Sequence, residues 1–153
     1  MKTKQINIRK TVKTPSNALR YMVEGLIKQS KRDDFMIRMS TYGDDYLTMC
    51  VGCAATCALQ QIANKNLIIG TAHSEDKRAN YLGFNRQEME AFEYDIDWAR
   101  KGDLEEIFSF FGLKKEFDKY IPDIGFTYLN TWDWKEQLPE VRKVIALLES
   151  MGF

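Results

Sequence analysis

The sequence predicts an α+β fold dominated by helix and built as a single globular domain over residues 1–153. Three observations carry that expectation. Apolar residues recur three and four apart over several long segments, the spacing of helices with one buried face. Period-2 alternation is confined to short early runs, so the sheet is small. No repeat, low-complexity tract or linker divides the chain, and at 44% hydrophobic and 12% aromatic it holds enough apolar material for one sizeable core.

Residues 1–13 form a basic N-terminal arm or edge strand, with Gln5-Ile6-Asn7-Ile8-Arg9 alternating as a strand would. Thr14 and Pro15 then mark a helix start, and Leu19, Met22, Val23, Leu26 and Ile27 give one apolar face over 15–31. Phe35–Met39 is a short second strand, closed by a turn at Tyr42-Gly43-Asp44-Asp45. Residues 45–63 read as a central buried helix, because their many Gly, Ala, Cys and Thr side chains let neighbours approach closely. Leu67–Gly70 is too short to assign, and 74–81 adds a helical turn or two.

Beyond Asn85 the helical spacing strengthens. Met89, Phe92, Ile96 and Ala99 predict a helix over about 86–101, and Leu104, Ile107, Phe108 and Phe111 a shorter one ended by Gly112. Phe117, Tyr120 and Ile121 mark a further turn. Gly125–Asp133 is aromatic and reads either as a strand near 125–131 or as an ordered loop. The last helix spans about 134–150 with Leu138, Val141, Ile145 and Leu148 on one face, and Pro139 places its start nearer Leu138.

Composition narrows the function classes. The longest strongly apolar stretch, Met49–Leu59, falls short of the ~20 residues that cross a bilayer. The basic N-terminus lacks the apolar block of a secretory signal, and three cysteines within eight positions do not resemble a disulfide framework; both favour a reducing cytoplasm. Net charge is zero but polarised: residues 1–40 hold ten Lys/Arg against three Asp/Glu, and the remainder twelve against nineteen. Such a chain can orient a charged partner, although mutual neutralisation within the fold is the simpler reading.

Several constellations bear on chemistry. Cys50, Cys53 and Cys57 would share one face of the expected helix, but three thiols leave a closed zinc site one ligand short. They therefore read as buried small hydrophobes, with no metal or cofactor, and a thiol-based metal or redox role stands as the alternative. His73 beside Ser74 reads as a surface histidine next to a helix cap. The acids of 88–106, Glu93 and Asp97 among them, read as a solvated face. Lys2, Lys4, Arg9, Lys10 and Lys13 suffice only for weak, salt-sensitive phosphate contact, so a nucleic-acid role is the third reading and the least favoured.

The chain thus has the profile of a small cytoplasmic protein-binding module of adaptor or inhibitor type, such as phages and mobile elements encode. Its expected contact residues are Phe126, Tyr128, Trp132 and Trp134, because tryptophan and tyrosine bury much area at low entropy cost. Glu93 and Asp97 would supply an acidic rim suited to a basic protein partner.

Overall fold

The structure is a computed structural model, and it describes residues 4–39, 41–100, 104–120 and 134–153. Its elements in chain order are α1 (Ile8–Val12), α2 (Pro15–Gln29), β1 (Phe35–Ile37), β2 (Asp44–Tyr46), β3 (Met49–Gly52), α3 (Ala54–Ala63), α4 (Glu75–Leu82), α5 (Arg86–Arg100), α6 (Leu104–Phe110), α7 (Lys114–Tyr120) and α8 (Trp134–Ser150). Helix dominates and one small sheet accompanies it, which is the α+β class expected.

The N-terminal alternation does not produce a strand. Only Ile6 pairs, through a single parallel bridge to Phe84 in which Ile6 N–H donates to Gly83 O at 2.7 Å. Ile8 and Val12 stand four apart and are both fully buried, so the helical spacing prevails from Ile8 onward. Asn7 caps this short helix by accepting from Lys10 N–H. Helix α2 begins as expected: Thr14 Oγ1 accepts from Asn17 N–H, Pro15 occupies the first turn, and Ala18, Leu19, Met22 and Leu26 bury its inner face.

The expected helix over 45–63 is corrected in its first half. Residues 44–46 and 49–52 are strands, and the helix starts only at Ala54. In the sheet, β3 lies between β1 and β2, parallel to β1 with Phe35 opposite Cys50 and antiparallel to β2 with Asp45 opposite Cys50. Pairing on both sides satisfies the β3 backbone, an outcome that a run of small and β-branched residues permits as readily as helix. A Cβ at Gly52 would lie 2.5 Å from Thr56 Cγ2, so only glycine allows the sharp passage from β3 into α3.

Helices α2 and α3 form the centre of the core. A Cβ at Gly25 of α2 would run into the Cys57 carbonyl of α3, so the bare Gly25 backbone sets their close approach. Helix α5 packs on α3 and α6, and α8 covers the other side of α2. Phe108 is fully buried, with Phe117 and Phe153 edge-on at centroid distances of 5.3 and 5.4 Å. Helix α8 spans Trp134–Ser150, the expected 134–150, and carries Pro139 inside it instead of starting nearer Leu138. Trp134 and Leu138 are four apart and both buried, and that packing holds the first turn despite the amide bond Pro139 removes.

Candidate functional site

The most exposed large apolar side chains of the sheet end meet on two adjacent segments. The β2–β3 connection is Leu47-Thr48, and Leu47 is 84% exposed with φ of 55°. Left-handed backbone is unfavourable for a residue with a branched side chain unless the fold imposes it. Tyr46 beside it is 50% exposed. The second segment carries Ile68 and Ile69, 49% and 48% exposed, on a turn in which Thr71 Oγ1 accepts from Ile68 N–H at 3.0 Å. Gly70 N–H donates to Asp45 Oδ2 at 3.0 Å, which brings the two segments side by side. Single exposed hydrophobics are ordinary, but four on two segments joined by that bond make a candidate contact patch.

Beneath this patch lies a polar support that anchors both segments. Arg78 of α4 and Glu93 of α5 are buried and paired, with Arg78 Nη2 donating to the Glu93 carboxylate at 3.1 and 3.3 Å. Arg78 Nη1 also donates to Ala72 O at 3.1 Å and to Gly43 O at 3.4 Å. Burial pushes the Glu93 carboxyl up to about 7; the Arg78 guanidinium opposes that shift, and Glu75 and Glu90 add to it. Thr56 Oγ1 donates to Tyr42 O, and Cys53 N–H donates to Thr41 O at 2.7 Å, so α3 holds the same stretch from its N-terminal end. A second arginine holds the approach to Ile68. Arg32 donates to Leu67 O, Gln29 Oε1, Gln60 Oε1 and Asp34 Oδ1, while Gln60 Oε1 also accepts from Leu67 N–H at 2.8 Å.

The cysteines do not share a helix face, because only Cys57 lies within a helix. Cys50 is in β3, and Cys53 is the residue before the first turn of α3. All three are free and buried. Burial raises all three thiols above their ordinary value, and Cys50, which donates to Asp45 Oδ1, is pushed up to about 12. Thiols so protonated are poor nucleophiles and poor ligands. Among the described residues no three His, Cys, Asp or Glu side chains gather as a metal ion requires.

The expected contact residues are dispersed. Phe126, Tyr128 and Trp132 lie outside the described residues. Trp134 is buried, lining a hollow of about 400 Å³ with Phe35, Met36, Ile37 and Met49, so it serves packing beside the sheet. Glu93 is corrected from a rim acid to a buried partner of Arg78, and Asp97 is half-buried. The wider acidic face is partly engaged, since Glu88 accepts from Ile8 N–H and pairs with Arg9, and Glu90 pairs with Arg86. Arg9 is accordingly committed to the fold, its guanidinium also lying 4.0 Å from the Phe110 ring centroid. Lys4, Lys10 and Lys13 are exposed, as is His73 beside the Ser74 cap.

Sequence reasoning missed Leu47, Ile68, Ile69 and Arg78. Leu47 lacked the Gly or Asn that usually announces a left-handed turn position, and Arg78 sat in a polar stretch with no mark of burial. Among the described residues no helix is long and apolar enough to cross a membrane. No family model matches the chain, and neither the characterised proteins nor the solved structures compared with it match it.

Proposed function

We propose that this chain is a small cytoplasmic protein-binding module of adaptor or inhibitor type, acting by surface contact through Tyr46, Leu47, Ile68 and Ile69. The observation that supports it most directly is Leu47, a large apolar side chain 84% exposed at a left-handed turn position. Folding alone gives little reason for that choice, because glycine or asparagine would occupy the turn at lower cost. The exposed Asp44 beside the patch suits a protein partner with a basic rim. Phe126, Tyr128 and Trp132, which lie outside the described residues, and Asp97 are proposed as contact residues in their own right, tested separately by Trp132→Ala.

The test is Leu47→Asp, since aspartate tolerates left-handed backbone and reverses the polarity of the contact. Tagged wild-type protein mixed with lysate of its source cells is expected to retain a stoichiometric partner. The variant, with an unchanged circular dichroism spectrum and melting temperature, is expected to lose it. Equal retention by both proteins removes the patch as the contact surface.

A further inference from the structure

One guanidinium reaches both segments of the apolar patch. Gly43 lies three residues before Tyr46, and Ala72 lies three residues after Ile69; both carbonyls accept from Arg78 Nη1. The fit at Gly43 is close, since a Cβ there would lie 2.5 Å from Arg78 Cδ, and its φ of +154° is one that side chains rarely adopt. Arg78 is only 3% exposed, and its charge is balanced at that depth by Glu93 from α5. At that depth the hydrogen bonds to the Glu93 carboxyl and to the two carbonyls replace those that water would supply to the guanidinium.

Resting on the reading of the patch as a contact surface, we propose that Arg78, braced by Glu93, is the latch that holds the 41–47 and 67–73 segments together as one preorganised surface. A direct link between the two is the bond from Gly70 N–H to the half-buried Asp45, a slight tie beside the two carbonyls that Arg78 holds. Without the latch each segment keeps only its separate ties, Thr41 and Tyr42 to α3 and Leu67 to Arg32 and Gln60, so their placement relative to one another loosens and binding then carries the entropy of ordering it. Arg78 is a positioning residue here, acting through two backbone carbonyls and touching no partner itself.

Amide hydrogen exchange on the full chain reads this out without any partner. Arg78→Met keeps the apolar stem and removes the donors. Exchange in 41–47 and 67–73, at the Gly70 amide above all, is expected to accelerate together by at least about tenfold, with α2 and α8 unchanged. Acceleration in one segment alone, or in neither, overturns the latch. Should the variant loosen every helix, Gly43→Ala decides, because its Cβ displaces Arg78 from the first segment only. Acceleration in 67–73 then supports the coupling, and a change confined to 41–47 overturns it. These outcomes are independent of partner capture: loss of the latch leaves the Leu47→Asp result standing, and failure of Leu47→Asp leaves the latch standing.

Discussion

The α2–α3 centre and the sheet end are held by different forces. At the centre, Leu19, Met22, Leu26, Ala54, Ala58 and Leu59 are fully buried, and Gly25 lets the two helix backbones meet directly. At the sheet end, three buried or half-buried polar side chains, Arg78, Arg32 and Thr56, tie loops down by donating to backbone carbonyls. Apolar area is adhesive from any direction, whereas a hydrogen bond fixes one geometry. The centre therefore supplies stability, and the sheet end supplies a defined shape with Leu47 and Ile68 at its outer edge.

Gly25→Ala makes the sharpest attempt to break that contrast. Alanine favours helix, but its Cβ meets a carbonyl that cannot move without shifting α3, and a cost of about 3 kcal/mol is expected in urea unfolding. A neutral or stabilising result would mean that α2 and α3 adjust, and that their closeness is not what holds the centre.

A smaller effect is expected from Glu93, and its sign is set by burial. Its carboxyl titrates near 7 when folded, above its ordinary value of 4.5, so the folded protein binds that proton more tightly than the unfolded chain does. The stability this group contributes is greatest below about pH 4.5 and is lost as pH rises through about 7, a fall of about 2.5 kcal/mol between about pH 5 and about pH 8. Unfolding measured at about pH 5 and about pH 8 in wild type and Glu93→Gln isolates it, because the half-buried Asp95, also raised by burial and by Glu106, to about 6, is present in both. If the variant retains the full decline, the ionised Glu93 is compensated by Arg78 and costs the fold nothing.

The smallest effect distinguishes support from surface. Leu47→Gly relieves a left-handed conformation while adding chain entropy, so stability is expected to stay within about 1 kcal/mol of wild type or to rise. Partner binding should fall at the same time. A larger loss of stability would show that Leu47 packs against the protein and belongs with the core.

By itself the sequence determined the class of the fold and most of its long helices. Thr14-Pro15 and the stripe from Leu19 to Leu26 specify α2 locally, and the spacing of Met89, Phe92 and Ile96 specifies α5. Those signals are legible because helix bonds are local and the buried stripe repeats along one segment. Tertiary structure decided whatever depended on pairing across the chain. Residues 49–52 became a strand because Phe35–Ile37 and Asp44–Tyr46 flank them, and Ile6 made a bridge because Gly83 O stood opposite. Only the assembled fold could place Arg78 against Glu93, Gly43 and Ala72, since these lie 15, 35 and 6 residues away in the chain. A charged side chain reads as solvent-facing until the fold brings its partners, and an apolar one reads as core until the fold leaves it outside. That is why Glu93 moved from surface to interior, while Leu47 moved from the expected buried helix to an exposed turn.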